Sequence, residues 1–121
     1  MIGIRVAIVT MPPIIADLAL SALRERAAVT MCAAYPARAQ AAAKLGADDP
    51  DLVLLGLARG EDTRFAAGLA RPLSRAVIVA LSRDGHRAIL VRGFHPPRIF
   101  ADVSLSDLTD AVIAALARPR I

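Results

Sequence analysis

The chain has 121 residues, 56% of them hydrophobic, with 15 basic and 11 acidic side chains and a net charge of +4. That is enough for one domain with a real core. Mean hydropathy is high at +0.53, yet the longest charge-free stretches, Val6–Ala16 and Ala27–Ala37, fall far short of the ~20 apolar residues of a spanning helix, which excludes a membrane-spanning class.

The basic residues, all arginine except Lys44, are scattered along the chain, with no run and no interleaved aromatics. A high isoelectric point without a basic stripe is a solvated surface and gives this segment no DNA-binding face. A single cysteine, Cys32, allows no internal disulfide, and the N-terminus lacks the architecture of an export signal, so the expected location is the cytoplasm.

Ile4–Val9 reads as a first strand, closed by Thr10-Met11-Pro12-Pro13. Pro13 suits the first turn of a helix, where its missing N–H costs nothing. The helix Ile14–Arg26 follows, with Ile15, Ala19, Ala22 and Leu23 on one face. Ala28–Ala33 is a second strand, Ala37–Leu45 a second helix, and Gly46 its expected C-terminal cap. Asp51–Leu57 is the strongest buried-strand pattern in the chain. Arg64–Arg71 is a third helix, disturbed at its end by Pro72. Ala76–Leu81 is a fourth strand and Arg98–Ala101 a short fifth.

The last helix, Ser104–Leu116, opens on Ser104-Leu105-Ser106-Asp107, which resembles a capping box, and presents Leu108, Val112 and Leu116 to the core. Residues 118–121 read as the start of a linker after a domain of residues 1–117. The segment Arg83–Pro97 should carry a fourth helix. However, Ala88–Val91 is β-branched and strand-like, Gly85 and Gly93 flank it and Pro96-Pro97 follows, so a short or irregular element is expected there.

Alternating strands and helices imply parallel pairing with right-handed crossovers. The expected fold is α/β and flavodoxin-like: a doubly wound, five-stranded parallel sheet with its functional crevice at the C-terminal ends of strands 1 and 3.

Three segments carry a resemblance to a known family. Ile4-Arg5-Val6-Ala7-Ile8-Val9 before Pro13, the strand Pro50-Asp51-Leu52-Val53-Leu54-Leu55, and Ile99-Phe100-Ala101-Asp102-Val103-Ser104 before the last helix resemble the receiver domain of response regulators. The nearest likeness is to receivers that precede a helix-turn-helix output domain, and it spans about residues 3–117. The resemblance implies a phosphoacceptor aspartate at the end of strand 3, two acids after strand 1 that hold Mg²⁺, a Ser/Thr after strand 4 and a lysine on strand 5.

The sequence departs at nearly every one of these positions. The acidic pair falls on Thr10 and Met11, the acceptor on Gly56, the Ser/Thr on Leu81 or Ser82, and the lysine on Ala101. Asp51 stands at the wrong end of its strand. The expectation is a pseudo-receiver that is not phosphorylated.

Thr10, Met11, Pro12, Gly56, Leu57, Ser82 and Ala101 would line an uncharged crevice. Such a crevice suits a small organic ligand better than a phosphate, or is filled by Met11. Gly56 marks either a close approach of ligand or backbone, or the loss of an unused site. In such receivers the face of helix 4, strand 5 and the last helix often forms a homodimer. Here that face would include Leu90, Phe94, Phe100, Leu105 and Leu108.

No catalytic, cofactor or metal site is expected, and the chain is not read as an enzyme. His86, His95 and Cys32 have no metal-ligand spacing. No G-x-S-x-G elbow and no G-x-G-x-x-G loop occurs. Ser82, Asp84 and His86 are neighbours in sequence, which is not triad geometry. The leading expectation is regulation by dimerisation or protein contact, with DNA met only through an output domain. The alternative is a metabolite sensor using the crevice.

Overall fold

The computed structural model describes residues 2–36, 38–57, 64, 68, 73, 76–82, 86–92, 97–102 and 104–117. Among these residues the chain runs β1 (Ile2–Val9), α1 (Pro13–Arg24), β2 (Ala27–Tyr35), α2 (Arg38–Asp48), β3 (Leu52–Gly56), β4 (Val77–Leu81), β5 (Arg87–Arg92), β6 (Arg98–Ala101) and α3 (Leu105–Ala117). They form a six-stranded, mostly parallel sheet of order β2-β1-β3-β4-β5-β6.

Side chains alternate between two cores, as the pleat demands. Ile4, Val6, Leu52, Leu54, Val77, Val79, Leu81, Ala88 and Leu90 enter one core, beneath Ala16, Ala19, Leu20 and Leu23 of α1 and Leu108, Val112 and Ala115 of α3. Ala7, Val9, Val53, Leu55, Ile78, Ala80, Ile89 and Val91 enter the other, with Ala41 and Leu45 of α2 and with Leu73. Burial on both faces explains why β3, β4 and β5 read as near-continuous apolar runs.

The winding reverses after β2. The chain moves outward from β1 to β2, then passes back over β1 to β3. Right-handed crossovers in opposite directions put their helices on opposite faces, and α1 and α2 are divided in that way.

Among the described residues the sheet has six strands, not the expected five, and the extra strand stands where a fourth helix was expected. β5 pairs antiparallel with β4, Val79 opposite Leu90 and Ala80 opposite Ile89, and antiparallel with β6. The sequence reason is the short apolar run Ala88–Val91, with β-branched Ile89 and Val91, between glycines and before two prolines, which favours a pleated strand and forbids a long helix. An antiparallel neighbour needs only a tight connection, with no crossover helix. β6 thereby returns parallel to β4, but one strand further out than a five-stranded sheet would place it.

Helix ends follow their local chemistry. Pro13 opens α1, and the Ala16 N–H reaches the Pro12 carbonyl at 3.0 Å. The α2 terminus corrects the expectation for Gly46: the helix continues to Asp48, and Asp49 takes the left-handed conformation with φ 46°. The Asp49 N–H reaches the Leu45 carbonyl at 3.1 Å, and Pro50 stops the helix. At α3, the Asp107 N–H donates to Ser104 Oγ at 3.0 Å, the N-cap bond expected of Ser104. Of the expected helix Arg64–Arg71, Arg64 and Gly68 are helical; its other residues, like 118–121, lie outside the described residues.

Two cross-links fix α3. Arg26, just past α1, forms an ion pair with Asp110 and donates to Ser106 Oγ at 3.4 Å. From β5, Arg92 donates to the Ala115 carbonyl at 2.8 Å, a cation on the negative end of the helix. No helix among the described residues is long and apolar enough to cross a membrane.

Candidate functional site

In a doubly wound sheet the crevice forms where the strand order reverses, at the C-terminal ends of the two central strands. Here these are β1 and β3, and the residues that follow are Thr10 and Gly56–Leu57.

Thr10 turns the chain away from β1 in the left-handed region, φ 48°, an outlier for a β-branched residue. Its N–H donates to the Tyr35 carbonyl at 2.9 Å, and its hydroxyl donates to the Gly56 carbonyl at 3.0 Å. The β1–α1 connection is thus pinned over the end of β3. A Cβ on residue 56 would overlap the Thr10 carbonyl oxygen and lie 2.9 Å from Met11 Cα and 3.0 Å from the Thr10 carbonyl carbon. These are backbone atoms, which cannot swing aside as a side-chain tip can. Of the two sequence-level explanations for Gly56, close backbone approach is the one realised.

Met11 and Leu57 fill the ground on either side. Met11 packs into the core beneath α1 and Leu57 into the core beneath α2. The Leu57 N–H donates to the Leu81 carbonyl at 2.9 Å, so the β3–β4 pairing continues past Gly56. Pro12 is exposed at the start of α1.

Ser82 closes the β4–β5 turn. Its N–H donates to the Arg87 carbonyl at 3.0 Å and its hydroxyl accepts the Arg87 N–H at 3.0 Å. Ala101 does not join this group. It is exposed and stands opposite Arg87 on β6, three strand spacings, or about 14 Å, from the β3 line that ends at Gly56. The inserted β5 is the cause.

Among the described residues, those that follow β1 and β3 here, Thr10, Met11, Pro12 and Leu57, are uncharged. Asp51 lies at the other end of β3, where its carboxylate accepts the Arg5 N–H at 2.9 Å. His86 Nδ1 is 3.1 Å from Asp102 Oδ1, both side chains exposed, at the mouth of the β5–β6 pair. Asp102 takes φ 54°, and its N–H donates to the His86 carbonyl at 2.7 Å. Sequence reading missed this pair, because nothing in the spacing reveals a hairpin that brings residues 86 and 102 together. Among the described residues no three His, Cys, Asp or Glu side chains are grouped to hold a metal ion.

Cys32 has a structural explanation. It is the extra residue of a bulge in β2, since Met31 pairs with Val6 and Ala33 with Ala7. The bulge turns Cys32 and Ala33 toward the same core. Burial pushes the thiol pKa up, opposed by Arg5 and reinforced by Asp48 and Asp51, so the group is a poor nucleophile at neutral pH.

The expected dimer face divides. Leu90 and Leu108 belong to the core beneath α1 and α3 and offer no surface, because β5 is an interior strand and Leu108 lies on the inner stripe of α3. Phe100 is half-buried with the Arg98 guanidinium 5.2 Å from its ring centre. Leu105 is 39% exposed. Phe94 lies outside the described residues. An apolar cleft of about 20 Å³ separates α1 from α3, lined by Ala19, Leu23, Leu54, Leu81, Leu105 and Leu108 among others. The hydroxyl of Thr109, also on its wall, is taken up by the Leu105 carbonyl at 2.7 Å. With no free polar group to hold a water or orient a ligand, this is a packing void.

Comparison with protein-family models, with curated proteins and with solved structures returns no match for this chain.

Proposed function

We propose that the chain is a pseudo-receiver: a flavodoxin-like regulatory domain of a signal-transduction or transcription regulator that acts by dimerisation or protein contact and without phosphorylation. The observation that carries this reading is the fit of the Thr10–Met11 backbone against Gly56. An acceptor aspartate at that position would have no space for its first side-chain carbon. The sequence departures at Thr10, Met11 and Ala101 point the same way, since these positions supply no carboxylate pair for Mg²⁺ and no lysine for phosphoryl oxygens.

The parallel β2-β1-β3-β4 half of the sheet, with helices split between its faces, supports the receiver-like architecture. The antiparallel β5–β6 half departs from it and replaces the helix of the usual dimer face. The same closure at Thr10 and Gly56 weighs against the metabolite-sensor reading at this crevice. DNA, in this reading, is met by an output domain and not by this one, and the setting is cytoplasmic.

The test is incubation with Mg²⁺ and acetyl phosphate, followed by intact-protein mass. The expected spectrum shows the unmodified chain only. An adduct of one phosphoryl group, lost on Asp→Asn substitution at any carboxylate, would overturn the reading.

A further inference from the structure

We propose that the outer edge of β2 is the contact surface, that its occupant is a second copy of this chain, and that Ala27–Met31 pairs antiparallel with itself across a twofold axis at Val29. This rests on the reading of the domain as one that works by protein contact, and it names the surface.

The two edges of the sheet are built differently. β6 is guarded: it has four residues, follows Pro97, carries Arg98, and ends at Asp102 in a left-handed turn. Short length, proline and charge are the devices by which sheets keep their edges from pairing. β2 has almost none of them. It runs nine residues, Ala27–Tyr35, with no charged residue and no proline, and among the described residues it pairs with β1 alone. Its one irregularity is the bulge at Cys32, which leaves Ala27–Met31 as an unbroken edge. Ala28, Thr30 and Met31 on this stretch are exposed.

The side chains favour a twofold copy over an unlike partner. Antiparallel pairing centred on Val29 sets Ala28 opposite Thr30 and Ala27 opposite Met31, small against larger on both sides of the axis, with Val29 on Val29. The flanking Arg26 comes opposite Cys32, so no like charges meet even though the chain as a whole is positive. Unlike partners are ordinarily selected by complementary charge, and this edge carries none. Five residues of strand pairing make a small interface, so the assembly should be reversible and concentration-dependent.

The experiment is sedimentation velocity on the full chain over a range of concentration, with circular dichroism to check the fold of each variant. The wild type is expected to shift from monomer toward dimer. The double variant Ala28→Lys with Thr30→Lys places like charges across the axis and should remain monomeric. Ala28→Lys with Thr30→Glu places opposite charges across it and should dimerise again. Ile99→Lys, on the exposed part of β6, should behave as wild type. A wild type that stays monomeric at every concentration, equal loss in both double variants, or dissociation by Ile99→Lys alone would each overturn the proposal. A phosphoryl adduct would instead sink the functional reading and leave this result standing, so the two failures are distinguishable.

Discussion

The Thr10 hydroxyl donates to the Gly56 carbonyl at 3.0 Å, and the same residue's backbone occupies the space a side chain at 56 would need. The two ends of the central strands are therefore locked to each other. The position where a receiver would carry its acceptor is closed by the chain itself.

Gly56→Ala follows directly. Its methyl group meets main-chain atoms, so overpacking should cost about 2–3 kcal/mol, and Gly56→Asp should cost more and gain no phosphorylation. Urea denaturation gives the first number and intact mass the second. A neutral Gly56→Ala would mean that the β1–α1 connection moves freely.

At Thr10 a pair of substitutions separates the hydrogen bond from the strain. Thr10→Val keeps the β-branched side chain at positive φ and loses the hydroxyl, and should destabilise by about 1–2 kcal/mol. Thr10→Ser keeps the hydroxyl with less crowding and should be neutral or slightly stabilising. Equal effects of the two in thermal melts would deny the hydroxyl a role.

Much of this arrangement was legible in the sequence. The apolar stretches within Ile4–Val9, Asp51–Leu57 and Ala76–Leu81 fit strands buried on both faces of a sheet, and Pro13 and Ser104 mark helix starts by rules that act within one turn. Gly56 could be singled out, but glycine alone does not say whether a ligand or a backbone approaches it. That depends on the turn Thr10 makes, and a threonine at positive φ has no sequence signature. The β5 hairpin was half legible: Ala88–Val91 looked like a strand. Strand pairing is set by partners distant in sequence, so neither its antiparallel direction nor the displacement of Ala101 could be read. Leu90 looked like a surface candidate for the same reason, because its burial is decided by that hairpin, whereas Leu108 lies on the stripe with Val112 that the helical repeat already turns inward.

Cys32 should be protected. Its folded thiol titrates above the usual value of about 8.5 for a free thiol because burial disfavours the thiolate. For an acid whose folded pKa is raised, the native state holds its proton after the unfolded chain has released it. The contribution to stability is therefore full below the unfolded pKa and declines as pH rises from there toward the folded pKa. Iodoacetamide at pH 8 should label native protein much more slowly than protein in denaturant. Equal rates would contradict the half-buried setting.

Arg92→Met removes the guanidinium that donates to the Ala115 carbonyl and keeps much of the apolar stem. It should cost about 1 kcal/mol and raise amide exchange in the last turn of α3. Unchanged exchange there would show that the helix end is held by packing alone. By contrast, Leu52→Ala, in a fully buried position of β3, should cost about 3–5 kcal/mol.

The most direct test of the central claim is a backbone amide NMR titration with Mg²⁺ and then beryllofluoride, which mimics a bound phosphoryl group. The account predicts that the Thr10, Gly56, Leu57 and Ser82 resonances stay in place at every concentration. Saturable shifts concentrated at those amides would mean that the crevice opens and binds, and would contradict it.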